Sequence, residues 1–131
     1  MNPKYKELLG AAKAAAQNSY SPYSHFAVGS AVLCSNGEIY LGANIENASY
    51  SLTNCAERSA LFNALSNGQK EISAIAVWTK RGGVFPCGAC RQVILELAPK
   101  SDIIINDING KILVLKLSDL LPFSFDKENL K

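Results

Sequence analysis

A single histidine, one methionine and one tryptophan stand in the 131 residues, and no long apolar run appears anywhere in the chain. The segment Met1 to Gly10 is polar, without the stretch that a signal peptide or a bilayer span requires, so the expected location is cytoplasmic and no membrane partner is expected. Basic residues are spread out: 13 Lys and Arg against 11 Asp and Glu give a net charge of +2 with no clustered basic stripe. Long nucleic-acid contacts need such a stripe, so a polymer partner is disfavoured. Repeats, linkers and low-complexity tracts are also missing, and only Asp126 to Lys131 is expected to fray. The length suits one domain over residues 1–131. With 48% apolar and 18% charged residues, a domain this small is rather apolar at its surface, which self-association would relieve.

What is present organises readily. Asn2-Pro3 reads as a helix start, followed by Tyr5, Leu8, Leu9, Ala12, Ala15 and Ala16 at helical spacing. Ser19 to Ser24 breaks that helix, and His25 to Leu33 reads as a strand. Asn36-Gly37 predicts a type I′ hairpin turn into a second strand, Glu38 to Asn44. Thr53-Asn54 offers a cap for a helix opening at Cys55 and ending near Gly68. Ile72 to Trp78 suits a strand buried on both faces, and Lys80 to Gly83 a mobile loop. A helix from about Gly88 to Leu97 follows Pro86. Asp102 to Ile105 and Lys111 to Leu117 are strands around an Asn109-Gly110 turn, and Ser118 to Leu121 opens a short last helix. The order α-β-β-α-β-α-β-β predicts an α/β fold: a mixed sheet covered by helices, with helical crossovers joining parallel strands.

Four cysteines in a reducing compartment point to metal binding or catalysis before disulfides. Cys55 opens one predicted helix, and Cys87 and Cys90, three apart, share one face of another. Helix N-termini favour thiolates, because free N–H groups and the positive dipole end stabilise the anion. Three thiolates close three corners of a tetrahedral zinc site and leave the fourth to water, which is a catalytic arrangement. Glu57 diverges from Cys55 and reaches past the metal, as a proton carrier would. Three thiolates on Zn²⁺ leave net charge −1, so something positive is needed, and Arg58 and Arg91 are the nearest donors to the sulfurs. Cys34 reads as a small core residue. With three thiol ligands already available, His25 is not taken as a fourth.

Cys55-Ala56-Glu57-Arg58 with Pro86-Cys87-Gly88-Ala89-Cys90-Arg91-Gln92 resembles the Cys₃ signature of the small, zinc-dependent, homotetrameric cytidine deaminases. The resemblance extends to Ser21-Pro22-Tyr23-Ser24 before Phe26-Ala27-Val28-Gly29, to Asn44 through Tyr50, and to Leu120 through Phe125. It implies a three-layer α/β/α fold with a mixed five-stranded sheet, one Zn²⁺ per chain on Cys55, Cys87 and Cys90, and Glu57 as general acid/base. Cytidine and deoxycytidine would become uridine and deoxyuridine with loss of ammonia, in pyrimidine salvage. Phe26 would lie against the pyrimidine, Asn44 and Glu46 would hold the ribose hydroxyls, and Ala56 would offer backbone contacts to the base. Ala48, Tyr50 and Phe125 would complete sites across subunit interfaces of a homotetramer.

Two features depart from the family's pattern: Trp78 to Phe85 is more basic and aromatic than expected, and His25 stands where a lysine is common. A structural zinc module would need a fourth protein ligand, and neither Cys34 nor His25 has ligand spacing. A redox Cys-x-x-Cys protein would leave Cys55-Ala56-Glu57 unexplained. The same zinc chemistry on another amine-bearing substrate, whether a nucleoside antibiotic, a free base or an RNA base, is the competing reading. Asn44-Ile45-Glu46-Asn47 argues for a free nucleoside.

Overall fold

In the computed structural model, which describes residues 2–131, the strand Val28–Cys34 (β1) sends Ala31 and Leu33 to one side and Val32 and Cys34 to the other. That period-2 alternation in an apolar strand requires cover on both faces. The helix Lys4–Ala15 (α1) covers the first face through Leu8, Leu9 and Ala12. The helices Ala56–Ser66 (α2) and Gly88–Leu97 (α3) cover the second through Ala60, Leu61, Ala64 and Ile94. Leu8, Leu61 and Ile94 are fully enclosed, each contributing about 1.5–3 kcal/mol by leaving water.

The remaining strands are Ile39–Ala43 (β2), Ile72–Thr79 (β3), Asp102–Asn106 (β4) and Ile112–Lys116 (β5). They form one sheet in the order β2-β1-β3-β4-β5, in which only β3 and β4 run parallel, with Ile75 opposite Ile103. A parallel pair needs a crossover, and α3 supplies it. The result is the three-layer α/β/α arrangement with a mixed five-stranded sheet that the sequence implied. Gly29 permits the close approach of α1: a Cβ there would lie 1.9 Å from the Ala12 carbonyl oxygen.

Several local expectations change. β1 starts at Val28, because His25 takes a positive φ of 55° with its N donating to Ser21 O, and Phe26 bonds to the Ser24 hydroxyl and the Asn44 amide instead of a neighbouring strand. The first hairpin is a three-residue loop: Cys34 N donates to Glu38 O, Gly37 N donates to Cys34 O, and only Gly37 has positive φ. Its geometry is a type I turn closed by a left-handed glycine, not type I′, and Asp107 to Lys111 repeats it with Gly110. Thr53 and Asn54 do not cap α2. Thr53 Oγ1 accepts from Asn47 N, Asn54 Nδ2 donates to Ser59 Oγ, and Cys55 itself takes the N-cap position. The last short helix (α4) spans Leu117–Leu120, one residue early.

Asp126 to Lys131, expected to fray, contains a 3₁₀ turn in which Asp126 and Asn129 cap each other. Lys80 to Gly83 is pinned: Gly82 N donates to Thr79 Oγ1 at 3.0 Å and Gly83 N to Asn106 O at 2.7 Å. Among the described residues no helix is long and apolar enough to cross a membrane.

Candidate active site

Both helices on the second face of the sheet begin on a cysteine. Cys55 is the N-cap of α2 and Cys87 the N-cap of α3, each in extended backbone with ψ of 156° and 166°. An extended N-cap turns its side chain back over the first helical turn, and Cys87 Sγ accepts from Cys90 N at 3.4 Å. Cys90 sits buried in that turn. The Sγ atoms of Cys55, Cys87 and Cys90 all lie within 4.8 Å of one another, and those of Cys55 and Cys87 are 3.8 Å apart. Four thiolates at about 2.3 Å on a tetrahedral zinc have sulfurs about 3.8 Å apart along each edge, the separation of Cys55 and Cys87, with Cys90 within 4.8 Å of both. They are the residues that can hold a zinc ion.

The charge around them is uneven. Arg58, one turn after Cys55, donates from Nη2 to Cys55 Sγ at 3.3 Å, while its buried Nε has no partner. A hydrogen bond from the Cys90 thiol, followed by Arg58, overcomes burial and pulls the Cys55 thiol down to about 5. Cys90 is pushed up by the same bond to Cys55, by burial and by the Glu57 charge. Burial pushes the Glu57 carboxyl above its ordinary range, with the Cys55 charge adding to the effect. Glu57 is 4% exposed, and a carboxyl of raised pKa beside a reaction site is suited to holding a proton near neutrality. Ala56, between Cys55 and Glu57, is wholly buried and presents only backbone.

Arg91 takes different partners from those the sequence suggested. Its Nε donates to Pro86 O at 2.7 Å and its Nη1 to Leu120 O at 2.6 Å, so it ties the C-terminal segment to the start of α3 and makes no bond to a sulfur. Gln92 Nε2 continues the attachment by donating to Phe125 O at 2.7 Å. The Phe125 ring is left 61% exposed.

A second constellation forms around Asn44 and Glu46. Asn44 Oδ1 accepts from Val28 N at 2.9 Å and from Ser19 Oγ, and Nδ2 donates to Phe26 O at 2.8 Å. It fixes the backbone under Phe26. Glu46 Oε1 accepts from Tyr23 N and Ser24 N, Oε2 accepts from the Ser24 hydroxyl, and the hydroxyl bond leads in drawing its pKa below the usual range. Glu46, Tyr50, Tyr23, Ser24 and Thr53 line a cavity of about 380 Å³, with the rings of Tyr23 and Tyr50 edge to face at 6.1 Å. Tyr50 and Ala48 are exposed, and Phe26 is half-exposed.

Within one chain, then, Cys55, Ala56, Glu57, Arg58, Cys87 and Cys90 assemble at two helix starts. Phe26, Asn44 and Glu46 join through the Ser19 to Ser24 segment, while Ala48, Tyr50 and Phe125 face outward. Sequence reasoning marked Ser21 to Ser24 as a segment but gave no role to Ser19 or Gln92. The run of hydroxyls pointed toward Ser19. Gln92 closes the second cysteine motif, but its partner lies 33 residues away and its bond to Phe125 O was not legible locally.

Residues 2–106 match the family described as the cytidine and deoxycytidylate deaminase zinc-binding region. The chain is 49% identical over 126 residues to a cytidine deaminase of Halalkalibacterium halodurans, covering 94% of this chain and 95% of that one. It is 46% identical over 127 residues to a cytidine deaminase of Sporosarcina psychrophila, covering 95% and 93%. Its structure is similar to that of a cytidine deaminase from Burkholderia pseudomallei, with a TM-score of 0.85 and 46% identity over 92% of this chain and 98% of that one.

Proposed function

We propose, on the footing that this chain belongs to the cytidine and deoxycytidylate deaminase family, that it hydrolyses cytidine and deoxycytidine to uridine and deoxyuridine with release of ammonia. The observation that carries the reading is the placement of a buried carboxyl, Glu57, directly beside three thiols whose sulfurs lie within 4.8 Å of one another.

Cys55, Cys87 and Cys90 would hold a zinc ion, which would supply Lewis acidity that brings the pKa of a water toward neutrality. The chain's own residues do the rest. Arg58 offsets the excess negative charge of three thiolates through its bond to Cys55. Glu57 accepts the proton of the attacking water and passes it to N3 of the pyrimidine. As the C4–N bond breaks, Glu57 takes the second water proton from the C4 hydroxyl and delivers it to the departing amine. One water is consumed, and the amine leaves as ammonia. Phe26 offers its half-exposed ring to the base, and the carboxylate of Glu46, kept ionised by Ser24, accepts from sugar hydroxyls.

The same reading gives one domain over residues 1–131, cytoplasmic, acting in pyrimidine salvage. All four cysteines are free, as a reducing compartment keeps them. It also gives a homotetramer in which Ala48, Tyr50 and Phe125 complete neighbouring sites. In support, Tyr50, Leu52 and Phe125 are 75%, 68% and 61% exposed and Phe123 is fully exposed, a concentration of apolar side chains that an interface would cover.

Purified protein with cytidine, followed by the ultraviolet change and ammonia release beside Glu57→Gln, tests the reaction. Turnover should fall by at least about 10²–10⁴-fold in the variant while one zinc per chain is retained. A zinc-loaded wild type inert toward both nucleosides would instead move the assignment to another amine-bearing substrate.

A further inference from the structure

Trp78 lies on the α1 face of the sheet, the side opposite α2 and α3, between two adjoining hollows. One, of about 520 Å³, is lined by Lys13, Gln17, Phe26, Trp78, Lys80 and Arg81 among others. The second, of about 400 Å³, shares Lys13, Trp78 and Lys80 and adds Lys6. Neither is lined by Glu57 or by any of the three clustered cysteines. Among the described residues, none of Lys6, Lys13, Lys80 and Arg81 is paired with a carboxylate. Lys13 Nζ stands 5.7 Å from the centre of the Trp78 ring.

Four cations converging without a counter-charge repel one another unless a polyanion joins them. The backbone that presents two of them is held firmly. Asn106 Nδ2 donates to Thr79 O at 2.7 Å, Gly82 N to Thr79 Oγ1 and Gly83 N to Asn106 O, all around the buried Thr79 and Asn106. Gly82 has φ of +74°, and a Cβ there would lie 2.2 Å from Asp107 O. The loop is thus built around a residue that only glycine satisfies, and Lys80 and Arg81 are ordered before any ligand arrives. These residues belong to the basic and aromatic segment that the deaminase reading leaves without a task.

We propose that the paired hollow binds a nucleoside polyphosphate. The phosphates lie against Lys13, Lys80 and Arg81 with Lys6 in the adjoining hollow, and the base packs on Trp78 with the Gln17 amide at its edge. The volume is that of small-molecule sites, about 300–1,000 Å³. Four cations are fewer than the about 6–10 phosphate contacts of a strong polymer binder. The cations that hold the phosphates, and Trp78, are none of the residues that the deaminase reading uses, although Phe26 borders both sites.

Trp78 is the only tryptophan, so its fluorescence reports directly. Full-length zinc-loaded protein is titrated with adenosine and cytidine triphosphates, inorganic tripolyphosphate, the two uncharged nucleosides and a single-stranded oligonucleotide. Saturable quenching by a triphosphate is expected, at least about tenfold weaker for its nucleoside and about tenfold weaker again in Lys80→Ala/Arg81→Ala, with steep loss as salt rises. Lys13→Ala, on a different element, should weaken it independently, and both variants should still turn over cytidine. No quenching at millimolar triphosphate, or quenching unchanged in the variants, overturns the proposal. Equal binding of tripolyphosphate overturns the nucleotide assignment, and tighter binding of the oligonucleotide overturns it in favour of a polymer.

Discussion

Arg58 Nη2 lies 3.3 Å from Cys55 Sγ, joining the one cation of the cluster to a thiol whose pKa is drawn down to about 5. The two residues are three apart at the start of α2, so one helical turn sets both the ligand and its counter-charge. Removing Arg58 leaves three thiolates without that donor. Arg58→Ala is expected to fold, and to lose about 10–100-fold in zinc affinity or turnover. Competition with a chelator reads the first and initial rates the second. Unchanged values in both would show that the guanidinium has no part in the metal site.

Asn44 shows a different dependence. Its amide holds Val28 N, Phe26 O and the Ser19 hydroxyl together in a nearly buried position. Asn44→Ala orphans at least two backbone groups, which costs about 2–4 kcal/mol. Urea unfolding should show that loss, together with a raised KM as the Phe26 backbone relaxes. A raised KM at unchanged stability would assign Asn44 to the ligand alone.

Glycines separate packing from propensity. Gly29→Ala puts a methyl 1.9 Å from Ala12 O and 2.5 Å from Ala16 N, so α1 must lift from β1 at a cost of about 3 kcal/mol or more. Gly10→Ala on the same helix meets nothing within 4 Å and should stabilise by up to about 1 kcal/mol. Thermal unfolding of the pair should give shifts of opposite sign, and equal shifts would contradict the close contact of α1 with the sheet.

Tyr5 Oη donates to Asp102 Oδ2 at 2.6 Å, tying α1 to β4. That bond, with burial and the Asp102 charge, raises the phenol to about 12. A folded value above the unfolded value of about 10 means that the contribution is complete below pH about 10 and disappears as pH rises through about 12. Tyr5→Phe should cost about 1 kcal/mol or less at neutral pH, because the site is largely solvated. The gap between wild type and variant should close between pH about 10 and about 12. A gap constant over that range would count against the Tyr5–Asp102 bond.

Apolar runs such as Ile72 to Trp78, turn signals and the three-to-four spacing in α1 and α2 located the five strands and the α-helices, because these are local consequences of chain geometry. The 3₁₀ turns at Ala16–Asn18, Tyr50–Leu52 and Lys127–Leu130 carried no such signal. The boundaries that moved did so under contacts that are distant in sequence. His25 reads as strand until Asn44, directly after β2, captures Phe26 O and Val28 N and leaves His25 in a left-handed turn. Asn36-Gly37 reads as type I′ until the pairing of Cys34 with Glu38 admits one more residue. Lys80 to Gly83 reads as mobile until Asn106, on a neighbouring strand, accepts and donates around Thr79.

The sequence by itself determined the alternation that demands three layers, the residue types able to bind a soft divalent metal, and the helix starts that lower the cost of thiolates there. Each of these depends on neighbours within a turn or a strand, where covalent geometry leaves little choice. Tertiary structure alone decided that Cys55 Sγ lies 3.8 Å from a cysteine 32 residues away, that Arg58 faces the sulfurs while Arg91 binds carbonyls, and that four cations gather around Trp78. Those outcomes depend on how packed helices orient their first turns against a common sheet. That orientation follows from summed burial and hydrogen-bond satisfaction across the whole chain, not from any local segment.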